Sequence, residues 1–182
     1  DDAIGYIKKT MSGDVMNIKK IRVDKEGAGM GWGAVYAQYL ESMDQISGQG
    51  NGLSVSRQLY KGDEALNESA PLKVGDKITV RLTVKADRDM DFVQIKDDRA
   101  ACMEPLQAVS GFRWSNGLGY YQATKDASTQ FFIDQMRKGT YVIEYQVYVN
   151  RTGEYQAGIA TVQSAYAPEF GGHTGGYRVM VE

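Results

Sequence analysis

The segment 77–86 reads KITVRLTVKA. Its apolar residues Ile78, Val80, Leu82, Val84 and Ala86 fall at every second position, with Lys77, Thr79, Arg81, Thr83 and Lys85 between them. A period of two puts one set on each face of an extended chain, and five repeats in succession leave no room for a helical reading. Such a strand needs a second layer to cover its apolar face. The stretch 140–150, TYVIEYQVYVN, repeats the pattern. Tyr141, Ile143, Tyr145, Val147 and Val149 share one face, and β-branched and aromatic residues suit that pleated surface.

Further strands are expected at 17–23, 32–40, 53–60, 92–96, 129–133, 154–166 and 177–181. Turn signals separate them at 25–29, 48–52, 74–76, 116–117, 138–139 and 152–153. Many short strands at this spacing predict an all-β antiparallel sandwich of immunoglobulin type rather than a βαβ fold. A helix over 35–43 is poorly supported, because Tyr36 and Tyr39 fit a strand equally well. The Gly-rich run 48–52 either divides a unit 1–50 from a unit 51–182 or forms one long hairpin loop. The second unit has the size of a sandwich; the first is small for a core of its own.

The 182 residues contain one Cys and one His. They exclude an internal disulfide, a Cys-rich zinc site and any zinc site built on two or three histidines. A formal charge of −2 gives no electrostatic reason to bind nucleic acid or an anionic membrane. No segment approaches the ~18 apolar residues of a membrane span. Residues 1–5, DDAIG, do not begin a signal peptide, and a mature form or a piece of a longer protein is expected.

Cys102 lies in DDRAACMEPLQ. A Cys-x-Glu-Gln arrangement can close an internal thioester, but Pro105 stands in the Gln position and has no side-chain amide. A small buried thiol is expected, kept protonated by its acidic neighbours. His173, in FGGHTGGY, is expected in a loop, since flanking glycines hold no catalytic base firmly. Asp87, Asp89 and Asp91 could crowd a hard cation but read better as a charged turn. The sequons at 67–69 and 150–152 are short enough to arise by chance. Most tyrosines fall at alternate strand positions and are expected in the core.

Several blocks together resemble the bacterial alpha-2-macroglobulin family. The block 31–41, GWGAVYAQYLE, resembles its WGA-x-Y-x-Q-Y-x-E element, and 5–10 resembles the short strand before it. VGD at 74–76 and the run from Val80 to Pro105 resemble the start of the family's last macroglobulin-like domain. RKGTY at 137–141 and SAYAPE at 164–169 resemble its closing motifs. The resemblance implies an all-β, macroglobulin-like sandwich over 51–182, preceded by the end of a small CUB-like β-unit over 1–50. It also implies a non-enzymatic piece, with no cofactor or metal, of an envelope or periplasmic endopeptidase inhibitor. Its partners would be target proteases, reached through the full-length protein, and the thioester domain. In the family an aromatic in the S-x-Y-x-P-E segment shields the thioester. That role carries over to Tyr166, with Ala165 where some members have Met. Two other readings compete. An envelope binding module would display coplanar rings such as Trp32 or Trp114. A hydrolase would need His173 beside a nucleophile and a carboxylate.

Overall fold

The computed structural model describes residues 8–10, 20–34, 48–67 and 70–182. The chain divides into two units, Asp1–Glu41 and Ser42–Glu182. In the first, the described residues are exposed and form no strand. A bend at 27–29 is fastened by the Lys25 ammonium, which donates to the Gly27 carbonyl at 2.7 Å. Of the strands expected here, residues 17–19 and 35–40 lie outside the described residues, and 20–23 and 32–34 are not in strands.

The second unit is built from strands: β1 (Gln49–Asn51), β2 (Leu53–Lys61), β3 (Glu64–Ala65), β4 (Lys77–Ala86), β5 (Met90–Asp98), β6 (Met103–Pro105), β7 (Gly111–Ser115), β8 (Leu118–Thr124), β9 (Ser128–Met136), β10 (Gly139–Val149), β11 (Gly153–Ala157), β12 (Ala160–Ser164), β13 (Gly171–His173) and β14 (Tyr177–Val181). No helix occurs among the described residues. One sheet runs in the order β6-β10-β4-β2-β1-β13-β12-β5-β9-β8-β7, with β3 on β2, and β11 and β14 form a separate pair.

β4 spans the predicted residues. Its inward set, Ile78, Val80, Leu82, Val84 and Ala86, is buried throughout, and burying each of the larger side chains contributes about 1.5–3 kcal/mol. β10 and β2 flank it in antiparallel register, Val80 opposite both Tyr145 and Leu59. A second layer, β12-β5-β9-β8-β7, faces this one. The rings of Phe131 on β9 and Tyr145 on β10 lie 6.0 Å apart across the core.

The two layers are joined through β1 and β13, and this corner explains the Gly-rich run. Gly50 pairs with Gly172. A Cβ on Gly172 would sit 2.7 Å from the carbonyl oxygens of both Gln49 and Leu53, closer than any real side chain permits. The run 48–52 is therefore mainly strand, and His173 ends β13 instead of lying in a loop. The expected strand 154–166 is broken after Ala157. Its halves, β11 and β12, join different sheets, and the Gly158 carbonyl between them accepts from Arg57. The 116–117 turn signal closes the β7–β8 hairpin. Asn116 (φ 49°) and Gly117 (φ 78°) form its two-residue turn, with both residues left-handed as a type I′ turn requires.

Candidate functional site

β12 leaves the sheet at Ser164 and the chain returns as β13 at Gly171. The intervening loop, Ala165-Tyr166-Ala167-Pro168-Glu169-Phe170, is closed by its own backbone. The Ser164 N–H donates to the Phe170 carbonyl (3.1 Å), and the Phe170 N–H to the Ala167 carbonyl (2.9 Å). The Asn51 side-chain amide donates to the Glu169 carbonyl at 2.7 Å, and the Arg88 guanidinium sits 4.6 Å from the centre of the Phe170 ring. Tyr166 stands at the tip, 79% exposed, between two alanines.

The loop is aimed by an irregularity in β5. Phe92 has φ 54°, a left-handed value that costs a bulky L-residue roughly 1–2 kcal/mol. Pairing with β9 skips the Phe92–Asp134 rung while the register on either side is kept. Burial alternation changes phase there in both strands: Met90 and Val93 are buried in β5, Ile133 and Met136 in β9. The Phe92 carbonyl accepts from the Ala165 N–H at 2.9 Å, one rung beyond Ser164–Val93 in the β12–β5 ladder. The Phe92 ring meets Tyr166 edge-on, with centroids 5.1 Å apart and planes at 77°. Two adjacent exposed rings are thus held by a backbone bond and a T-shaped contact. Ala165 itself is exposed.

A second feature is a buried polar bridge between the layers. Arg57, in the inward phase of β2, pairs with Asp97 in the inward phase of β5, and both side chains are shut off from solvent. Asp97 also accepts from the Tyr145 hydroxyl (2.7 Å), Arg57 donates to the Gly158 carbonyl (2.5 Å), and the guanidinium lies 4.7 Å from the centre of the Tyr177 ring. Burial pushes the Asp97 carboxyl above the usual carboxylate range, with Arg57 and Tyr145 pulling against it. Burial opposes the charge on Arg57 too, but the neighbouring Asp97 holds it above its ordinary value. Beside this bridge, between β2 and β14, opens a cavity of about 360 Å³.

The other candidates resolve into structure. Cys102 is buried, and burial raises its thiol. His173 Nδ1 contacts the Thr174 carbonyl at 3.0 Å, and no nucleophile or carboxylate among the described residues meets the ring. In the 87–91 turn Asp87 receives the fork of Arg88 (2.8 and 3.2 Å), while Asp89 accepts from the Lys138 N–H (2.7 Å). Those contacts fasten the turn that carries the chain from β4 in one layer to β5 in the other, and tie it to the β9–β10 turn. Trp114 is exposed, but it lies against Gly119, and Phe112 meets Tyr121 at 75°. These rings form no coplanar platform. Trp32 is 91% exposed in the first unit.

Sequence reasoning singled out Tyr166 and missed Phe92 as its support. The signal was the doublet Phe92-Val93, since adjacent apolar residues in a strand cannot both face one core. It also missed Arg57 and Asp97, opposite charges in the inward phase of two strands.

A two-layer all-β sandwich with a projecting aromatic loop places the chain among macroglobulin-like domains. Residues 52–169 match the family described as the bacterial alpha-2-macroglobulin MG10 domain, and the chain belongs to that family. The fold is shared with a Tyr-to-Gly mutant of Salmonella alpha-2-macroglobulin, at 19% identity over 75% of this chain and 10% of that one, with a TM-score of 0.64. It is also shared with native Escherichia coli alpha-2-macroglobulin spanning domain MG7 to the C-terminus, at 17% identity over 74% of this chain and 24% of that one, with a TM-score of 0.62. A curated relative, circularly permutated Ras protein 2 of Dictyostelium discoideum, is 29% identical over 138 residues, 72% of this chain and 4% of that protein. The chain thus spans a small part of each of these relatives.

Proposed function

We propose that this chain acts as the final macroglobulin-like part of a bacterial alpha-2-macroglobulin-type endopeptidase inhibitor, with the sandwich that begins at β1 as that domain and the residues before it as the end of a CUB-like unit. In the full-length protein the Tyr166 loop packs on the thioester domain and keeps water from the thioester until a protease cleaves the bait region. The domain has no chemistry of its own in this scheme. It holds a native arrangement that bait cleavage releases, at the cell envelope or in the periplasm. Two similar structures are of Escherichia coli alpha-2-macroglobulin activated by trypsin and by elastase, which supports proteases as the targets of the parent protein.

The observation that carries this reading is the Phe92–Tyr166 pair. Large aromatic rings are normally withdrawn from water, yet here a closed loop and a left-handed backbone hold one 79% exposed. An arrangement that spends strain to display a ring fits a surface that is covered in the intact protein. A thioester survives only if dry, and such a ring can cover it.

The test uses the full-length parent. Tyr166→Ala should raise the rate of free-thiol appearance in the absence of protease several-fold, while bait cleavage stays unchanged. An unaltered rate would remove Tyr166 from the mechanism. Ala165→Met should slow the same reaction, by adding apolar cover beside the ring.

A further inference from the structure

The cavity beside Arg57 has strand edges for walls. β2 is paired along its whole length with β4 on one side. On the other side it meets β1 at Leu53 and β3 at Tyr60 and Lys61, and among the described residues the stretch 55–58 has no strand partner there. The direction of its backbone groups follows from a single bond. The Leu59 carbonyl faces away from β4 and accepts from the Leu66 N–H at 2.8 Å. N–H and C=O of one residue point the same way, and alternate residues point to opposite edges. The N–H and C=O groups of Val55 and Arg57 therefore point into the cavity.

β14 forms the opposite wall, paired with β11 on its far side. The lower end of the slot is already closed by the chain's own backbone. Leu66 bonds to β2, and Leu72 bonds to β14 through Met180 (2.9 Å) and Glu182 (2.9 Å). Among the described residues no such segment crosses the upper end, between Val55 and Tyr177. Side chains facing the space include Val55, Leu59, Leu66, Leu72 and Val179. Arg57 adds no demand for an anion, because Asp97 pairs its charge.

From these walls we infer that the slot between β2 and β14 takes an extended peptide segment of another polypeptide, added as a strand on the 55–58 edge of β2. The N–H and C=O groups of Val55 and Arg57, which have no backbone partner among the described residues, call for an occupant with its own alternating donors and acceptors, which a peptide backbone supplies and a purely apolar ligand does not. The open stretch, roughly 13 Å at about 3.3 Å per residue, pairs three or four residues. Inward side chains of the occupant meet Val55, Leu59 and Val179 beside the charge-paired Arg57, so the segment carries Val- or Ile-like residues at alternate positions. The antiparallel direction matches the pairing of β2 with β1, β3 and β4. This inference is independent of the Tyr166 reading.

The test is an amide-resolved NMR titration of the 182-residue chain with the capped peptide Ac-Thr-Val-Thr-Val-Thr-NH2. A second peptide has the same sequence with its valine amides N-methylated, and a third with its threonine amides N-methylated. The Val55 and Arg57 amides should shift saturably and exchange with solvent more slowly when the unmodified peptide is bound. One of the two N-methylated peptides, the one blocked on the bonding edge, should bind about tenfold more weakly, as expected for a lost net hydrogen bond. Val55→Pro, which removes an N–H on the open edge alone, should weaken binding similarly. Four results would overturn the inference: binding that leaves the Val55 and Arg57 amides unprotected, equal affinity for all three peptides, full protection of these amides in the unliganded chain, or protection that instead follows self-association of the chain.

Discussion

Arg57→Met removes one half of a buried ion pair and keeps the length and apolar stem of the side chain. In the native protein the Arg57 and Asp97 side chains are 4% and 1% exposed, so solvent screens neither. Deleting the cation leaves a carboxylate enclosed by β2, β5 and β10, with the Tyr145 hydroxyl as its remaining donor among the described residues. Stranding a buried charge in this way costs about 3–5 kcal/mol. The Gly158 carbonyl also loses its donor, and the Tyr177 ring loses its cation. At about 4 °C per kcal/mol for a domain of this size, Tm should fall by roughly 12–20 °C. Calorimetry or circular dichroism at pH 7 measures this directly. The double variant Arg57→Met/Asp97→Asn removes the stranded charge and keeps an acceptor for Tyr145. It should recover more than half of the loss. A fall in Tm below about 4 °C for Arg57→Met, or a double variant no better than the single one, would refute the view of Arg57 and Asp97 as a charge pair closing the core.

Other expectations follow from individual contacts. Phe92→Gly should be more stable than Phe92→Ala by about 1 kcal/mol in urea titrations, since both lose the ring but only glycine relaxes the left-handed φ. Gly172→Ala should destabilise by more than about 2 kcal/mol or abolish folding, because its methyl would press on two strand carbonyls at once. The Asp76 carboxyl is held below its usual range by the Lys61 ammonium (2.8 Å) and the Lys73 N–H (2.9 Å). A folded value below the unfolded one stabilises above about pH 4 and loses that contribution as the pH falls further. Asp76→Asn should therefore cost up to about 1 kcal/mol at pH 7, with the difference from wild type shrinking below pH 4.

The strands most legible in the sequence were those with one wet and one dry face. β4 and β10 run through the middle of their layer, and burial on a single side forces alternation that single residues report. β7 gave little signal because it is an edge strand, with Phe112 and Trp114 exposed, and only its turn was readable. In the first unit, part of each expected strand falls outside the described residues. Tyr166 was singled out through its motif. Its support was not, because a left-handed Phe92 has no compositional mark beyond the Phe-Val doublet. The slot beside Arg57 is invisible along the chain, since it exists only where β14 is brought opposite β2.

The bond from the Ala165 N–H to the Phe92 carbonyl adds one rung to the β12–β5 ladder beyond Ser164. The Tyr166 loop therefore grows directly out of a strand pair, while the left-handed φ of Phe92 sets the ring that meets Tyr166 edge-on. A push on the Tyr166 ring from a neighbouring domain would bear on that rung and that ring before it disturbed the sandwich.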